Sequence, residues 1–523
     1  MTTRALPILA AGLAALATSC TVGPNYATPK AKVAARWLEN SAPTNHGFTA
    51  AEVCWWRNFN DPVLDRLIAT ALQQNPSLQI AGVRVLEARA KLNKSIGNLF
   101  PQQQAVSGQV GYTRLSDGLT EVIPGVNQDY ASANVLFGAS WEVDLWGKFR
   151  RNIESDRAAY LGSIASYDDV LVTLISDVAT TYVNLRTLEE RLRVARRNVE
   201  TQKEGLRIAT VQFNAGEVSE LDMQQATTQL AQTESAVPQI EEAISQTRNG
   251  LAVLLGETPD DIGRHLGAAG PIPTAPAQVA VGIPKDLLRR RPDVRVAGFA
   301  AASKCALIGV AKSQMYPALS LSGQFGVTGN NEGGNTLGDM FSWQSRALSA
   351  GAGLVWPVFN YGRLENQVRV QDAQFQAAVL NYQNTVLTAQ QEVENGLAAF
   401  ASQQQAVGLL GKAATAARRS TDLAMIQYKG GQTDYTTVLT AEQAQLAVEN
   451  SLAIAQGNVV LGVISVYRAL GGGWELRQDR DIISAEVKAE MARRTDWGRM
   501  LEPSHHLPAA AARDEVVEPQ DAK

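Results

Sequence analysis

Three cysteines in 523 residues are too few to hold a chain of this size with a disulfide framework. Cys20 lies in an N-terminal leader pattern, which leaves Cys54 and Cys305. Two free, buried thiols are the expected state, with pairing between them left open. Histidine is scarcer still for its length, at four: His46, His265, His505 and His506. None stands in a metalloprotease spacing, and neither a phosphate-cradling glycine loop nor a nucleophile elbow is present, so an enzyme, a metal centre and a cofactor site are not expected. Aromatic residues make up 6% of the chain, and the net charge of -4 provides no basic excess for a nucleic-acid partner. Beyond the leader, no run approaches about 20 consecutive apolar residues, so a membrane-spanning helix is not expected. Any crossing of a bilayer would then have to use strands closed into a barrel.

What is present begins with Arg4, an apolar run from Ala5 to Ala17, and Thr18-Ser19-Cys20. This has the charged, hydrophobic and small-residue regions of a secretory signal. Ending on cysteine, it resembles a bacterial lipoprotein signal, with Ala17 where leucine is usual. On that reading Cys20 becomes the first mature residue and carries a covalent lipid, and Thr21, not being Asp, gives no inner-membrane retention mark. An ordinary signal peptide with an incidental cysteine is the alternative.

The chain is a tandem duplication. Trp141-Glu-Val-Asp-Leu-Trp146-Gly147-Lys148 matches Trp356-Pro-Val-Phe-Asn-Tyr361-Gly362-Arg363, and 356 minus 141 is 215. Gln212-Phe213 to Gly216 matches Gln427-Tyr428 to Gly431 at the same offset, whereas Pro76 with Pro292 and Phe100-Pro101 with Tyr316-Pro317 differ by 216. One residue is therefore gained or lost between positions 101 and 141. Leu171, Val178, Leu185, Leu192 and Val199 recur every seven residues, and Val386, Val393, Phe400 and Val407 repeat the first four. Such spacing predicts helices packed side by side as in a coiled coil. Proline is absent from Lys148 to Phe213, and about 66 residues at 1.5 Å each give a rod of roughly 100 Å. Gly216 and Gly430-Gly431 read as helix stops, each with a second helix beyond it. Each half thus ends in a long antiparallel helical hairpin.

Ahead of each hairpin the period changes to two. Apolar residues alternate with polar ones around Val106, Val110 and Tyr112, from Ala133 to Leu145, from Leu319 to Val327 and from Leu348 to Val358. Four strands, apolar on one face only, suit a lipid-facing barrel with a wet interior. Trp141 and Trp356, near strand ends on the apolar face, are candidates for an aromatic girdle at the headgroups, the alternative being ordinary core tryptophans in a soluble sandwich. Four strands cannot close a barrel, since the smallest bacterial form has about eight, so several chains must contribute.

Three motifs in order then carry a family likeness: Cys20-Thr-Val-Gly-Pro-Asn-Tyr26, Trp55-Trp56-Arg-Asn-Phe59-Asn-Asp61-Pro62, and Leu287-Leu288-Arg-Arg-Arg-Pro-Asp293-Val-Arg295. From Cys20 to about Gly473 the chain resembles the NodT-type lipoprotein branch of TolC-like outer-membrane factors. The resemblance implies a mixed α/β membrane protein of tandem-repeat design: a homotrimer with a 12-stranded barrel, four transmembrane strands per chain, on a coiled-coil helical barrel in the periplasm. It further implies an exit duct passing small toxic compounds out of the cell, working with a periplasmic adaptor (membrane fusion) protein and an inner-membrane transporter of the resistance-nodulation-division type. A duct for type I protein secretion is the alternative function. Five segments are expected: a signal peptide (1–19), a lipidated N-terminal segment (20–61), a first repeat (62–275), a second repeat (276–473) and a polar, loosely held tail (474–523). The Trp55-Trp56 pair is expected to pack the N-terminal segment against the tube, and Arg289-Arg290-Arg291 to be a solvated face.

The resemblance also implies a closed periplasmic tip, held by a tyrosine before one turn and an aspartate after the other. Aligned on the turn glycines, these are Tyr428 and Asp222. A capping box between Ser219 and Asp222 is an equal alternative for the aspartate. Where relatives carry Val-Leu-Asp-Ala, this chain has Val438-Leu439-Thr440-Ala441. With Thr436 and Thr437 nearby, the constriction is expected to be hydroxyl-lined and less negative.

Overall fold

The computed structural model describes residues 21–38, 53–116, 128–279, 284, 290–331, 336–503 and 507. Cys20, His46, the Leu287–Arg289 part of the third motif and the His505-His506 pair lie outside the described residues. Two short helices open the first repeat, α1 (Pro62–Gln74) and α2 (Pro76–Gly97), both with proline in the first turn and a side-chain cap from Asp61 and Asn75. Strands β1 (Gln103–Arg114) and β2 (Asp129–Val143) follow, then the 67-residue α3 (Lys148–Asn214), α4 (Glu220–Leu255) and a single turn, α5 (Ile262–Leu266). The second repeat supplies α6 (Pro292–Ser313), β3 (Ala318–Asn330), β4 (Arg346–Val355), a second 67-residue helix α7 (Arg363–Lys429) and α8 (Tyr435–Ala469). The rods and hairpins are where the seven-residue period put them.

The four strands form one antiparallel sheet in the order β1-β2-β3-β4. Register places Val106 opposite Phe137, Phe137 opposite Phe325 and Phe325 opposite Leu348, an apolar row across one face. Ser107, Ser140, Ser322, Gln324 and Ser349 lie on the other. Val106 pairs with Phe137 as Leu321 pairs with Ala352, so the offset is already 215 at position 106. The one-residue change therefore falls just after Pro101, before the strand begins. β4 ends at Val355; Trp356 and Val358, expected within it, lie just beyond, where Pro357 cannot donate to a ladder. Trp141 and Trp356 each donate an indole N–H at 3.1 Å to the end of the preceding helix or turn, at the carbonyls of Leu99 and Met315.

Residues 21–38 run along the helices. Val22 N–H bonds the Trp146 carbonyl, Tyr26 the Gly298 carbonyl, and Gln390 both receives from Ala34 and donates to Lys32. Trp55 is fully buried and stacks on Tyr467 at 5.4 Å, the packing role expected of that pair. Both remaining thiols are free, Cys305 buried but Cys54 only half-buried.

Two expectations are overturned, and the reading of unbroken apolar runs is narrowed. Stretches of α3, α6 and α8 are long and apolar enough to cross a bilayer by composition. Interspersed polar residues such as Ser, Thr, Asn and Lys hide this from a search for unbroken runs, and more than half of each stretch is buried against protein. Arg291 is no solvated face: it is buried, and its guanidinium bonds Asp293, Glu392 and the Ala469 carbonyl, while Arg290 pairs with Glu475 at 2.6 Å. The tail, too, is held as far as residue 503. Ile482, Ile483 and Met491 join the core, α9 (Ala485–Arg494) is capped by Ser484, and Ile482 lies so close to Gly82 that a Cβ there would meet its carbonyl oxygen at 2.1 Å. Arg477 is buried with two bonds to Asp168, the shorter 2.5 Å, and Arg295 reaches the same carboxylate at 3.3 Å while covering Trp474. A run of arginines and a polar tail read as solvated on composition, whereas partners distant in sequence make these residues interior.

Removing one member of a buried ion cluster leaves its partner uncompensated, at about 3–5 kcal/mol. Arg477→Ala is therefore expected to lower unfolding stability in detergent by about that amount and to open residues 474–503 to limited proteolysis. Unchanged melting and protease resistance would mean that apolar contacts alone hold the segment.

Candidate functional site at the hairpin tip

Both long helices end in the same backbone device. Gly216 adopts φ 77° and Gly431 φ 68°, while Gly430 stays at φ -84°, so only the second glycine of that pair is needed for left-handed backbone. Glu217 N–H returns to the Gln212 carbonyl and Gln432 N–H to the Gln427 carbonyl, each 2.9 Å, satisfying carbonyls left over by the last helical turn.

The second helices start differently. Asp434 caps α8, accepting from the Thr437 N–H at 3.2 Å and the Thr437 hydroxyl at 3.1 Å. Ser219 precedes α4 without capping it; its hydroxyl lies 3.5 Å from the Asp222 carboxylate. No capping box forms there, which leaves the Asp222 carboxylate facing α7. The Tyr428 hydroxyl donates to Asp222 at 3.4 Å, a long O–H···O contact. The sequence-predicted pair thus meets within one chain. Tyr428 is buried, and its acidity is pushed well down by burial first and by the Asp222 charge second.

Thr436, Thr437 and Thr440 are exposed on α8. Thr440 donates to the Thr436 carbonyl at 2.8 Å, one turn back, and Thr437 accepts from Thr433 at 2.8 Å. These bonds hold the Thr437 and Thr440 hydroxyls close to the helix surface.

Sequence reading missed what stands behind the tyrosine. Tyr435 packs edge-on against Tyr428 at 5.2 Å, within an apolar cluster of Ile208, Ala209, Ala226, Ala424 and Val438 drawn from all four hairpin helices. Further along, Glu449 is buried and takes Arg197, Arg418 and Asn198. Burial opposes its ionisation, but the two arginines outweigh it and hold the carboxyl below the usual range. Tyr435, Glu442 and Glu449 recur every seven residues on α8; that period was the available signal, and a search for apolar heptads passes over it.

The architecture and the sequence both match known proteins. The model of the Outer membrane efflux protein family matches residues 67–257 and 283–472, one block in each repeat. Nodulation protein T of Rhizobium leguminosarum bv. trifolii is 28% identical over 469 residues, covering 88% of this chain and 96% of that protein. The toluene efflux pump outer membrane protein TtgC of Pseudomonas putida is 29% identical over 463 residues, covering 87% and 93%. Among solved structures, the outer-membrane channel OprN is 31% identical with a TM-score of 0.79 over 87% of this chain and 100% of that one. The Campylobacter jejuni CmeC outer membrane channel, at 23% identity, shares the fold with a TM-score of 0.80 over 91% of this chain and 99% of that one. With both repeats matched and the hairpin-and-sheet design in place, the chain belongs to the outer membrane efflux protein family and is an outer-membrane efflux channel.

Proposed function

We propose that three copies close head to tail into a 12-stranded barrel over a periplasmic helical tube, forming the exit duct of a tripartite pump for small toxic compounds. The repeats, 62–275 and 276–473, would each supply two strands and one hairpin. The observation that carries this is the mismatch in exposure between the two repeats. Ala165 and Val172 of α3 are buried, yet the same positions in α7, Leu380 and Leu387, are 56% and 52% exposed. Trp146 stacks on Tyr316 at 4.7 Å, yet their counterparts Tyr361 and Phe100 both stand exposed. A Cβ on Gly326 would strike the Val135 carbonyl oxygen at 2.0 Å, while its counterpart Gly111 has no neighbour nearer than 3.7 Å. The second-repeat face lacks the neighbour that the first repeat finds in the second, and the first repeat of another copy supplies it. The register follows by shifting known pairs by 215. Phe137 opposite Phe325 becomes Ala352 opposite Val110 of the partner subunit, and Trp141 opposite Leu321 becomes Trp356 opposite Val106 of the partner subunit.

The lipid anchor on Cys20 fits the same frame. Thr21 lies against Gly147, where β2 passes into α3, close in sequence to Trp141 as a candidate interface aromatic, with Trp356 at the matching place in the second repeat. A covalent chain at Cys20 would enter the membrane at the base of the barrel. The tip with Asp222, Tyr428 and the threonines is then the periplasmic constriction, and its end would face the adaptor protein and, through it, a resistance-nodulation-division transporter. Relatives named for toluene and solvent efflux support small organic compounds as cargo.

Three measurements check this reading. The mature protein is expected to carry lipid mass on Cys20, and an unmodified N-terminal residue in an intact mass spectrum would remove the anchor. Oxidation of the Ala352→Cys/Val110→Cys variant is expected to yield cross-linked trimers, because facing Cβ atoms lie about 5 Å apart; the four-residue-shifted pair Ala352→Cys/Val106→Cys is expected to yield none. Monomer alone in the first, or equal cross-linking in both, overturns the register. In planar bilayers Thr440→Asp is expected to raise cation selectivity severalfold, since a ring of carboxylates focuses cations, and Tyr428→Phe to raise resting conductance. No change in either places the constriction elsewhere.

A further inference from the structure

Glu442 is a carboxyl group with nowhere to put a charge. It lies on α8, two turns from the helix start at the tip, and is 1% exposed. Neither carboxylate oxygen has a hydrogen-bond partner. Gly205 of α3 faces it, with Met425 of α7 and the Tyr435 hydroxyl in the same contact. One turn along α3, Gln202 is equally buried with neither amide atom bonded. The arginines that enter this seam, Arg197 from α3 and Arg418 from α7, are both taken by Glu449, two turns further along α8, at 2.6 and 2.5 Å. Lys203 and Arg207 of α3 pair with Glu200 and Glu204 on the outer surface. From α4, Asp222 faces Tyr428, and Gln229 accepts from Gln443. Among the described residues, no cation is therefore paired with Glu442 from the helices packed around it. Its counterpart in the first repeat is Thr227, which is exposed and bonded to its own helix, so the group singles out α8 among the hairpin helices.

We propose that Glu442 is a proton-operated control on the periplasmic tip: neutral, it lets α8 pack against α3 and α7; ionised, it drives α8 away from them toward water. This rests on the tip being the constriction and adds its regulation. A buried, unpaired carboxylate is costly enough that the group either stays protonated or leaves the interior. Burial alone raises Glu442 from an ordinary 4.5 to about 7. The packed tip binds the proton more tightly than a splayed tip in which the group is hydrated. Packing is thus favoured most below the hydrated value of 4.5, weakens as pH rises from there, and reaches its minimum above about 7. The ratio of the two proton affinities caps the effect on the opening equilibrium at roughly 300-fold.

The test compares wild type, Glu442→Gln and Glu442→Asp as full-length lipidated trimers. Open probability in planar bilayers is measured from pH 4 to 8.5, with spin-label distances between the three copies of Gln432→Cys at the tip measured in parallel. Wild type is expected to open at least tenfold more at pH 7.5 than at pH 4.5, with widening label distances and a plateau above 7. The Gln variant is expected to stay at the low-pH level throughout, and the Asp variant to regain the pH dependence. Superimposable wild-type and Gln profiles overturn the proposal, as does a wild type whose label distances ignore pH. Should the Gln variant fail to assemble, the wild-type and Asp distance profiles decide in the same way. Label distances that follow pH in wild type but not in Glu442→Gln, with conductance unchanged in both, uphold the control by Glu442 and remove the tip as the constriction.

Discussion

A sheet that presents an apolar face to hydrocarbon must leave no N–H or C=O group unpaired along its edges, because no water is there to satisfy them. The four strands pair three times among themselves and leave β1 and β4 with one open edge each. The duplication makes the two open edges counterparts of an interface the chain already contains, between β2 and β3. In the proposed ring one interface, with one register and one set of aromatic and glycine contacts, serves both inside the chain and between copies. The result would be a closed heterologous ring.

Below the sheet the governing constraint is different. The long helices carry ordinary apolar heptads through the central region, where Val178, Val183, Leu185 and Val463 are buried in one core with the N-terminal tryptophans and the docked C-terminal segment. Toward the tip the seam turns polar, with Asn198, Gln202, Glu442, Gln445 and Glu449 buried on α3 and α8. Apolar seams are stable and insensitive to register. Buried polar seams are less stable but have discrete satisfied and unsatisfied arrangements. A channel needs the first kind of seam where it must stay shut against the periplasm along its wall, and the second where it must change shape.

Much of the architecture was legible before any coordinates. The repeat, the rods, the turns at Gly216 and Gly431, and the two-faced strands all follow from periods of seven and two, which depend on local geometry alone. Tyr428 and Asp222 came from resemblance, and the fold brings them to 3.4 Å. Local rules also supplied the errors. The triple arginine and the tail look solvated when judged by composition, and the apolar stretches of α3, α6 and α8 go unnoticed when only unbroken runs are sought.

By itself, then, the sequence determined which segments are helix, strand and turn and that the chain is built twice over, because these are encoded by neighbours three, four, seven or two residues away. Only the tertiary structure decided which charges are interior. Asp168 meets Arg477 across 309 positions, and Arg197 and Arg418 are both claimed by Glu449. Among the described residues Glu442, on the same heptad, has no cation partner, because ion pairing depends on distances of a few ångströms between helices that no linear pattern records.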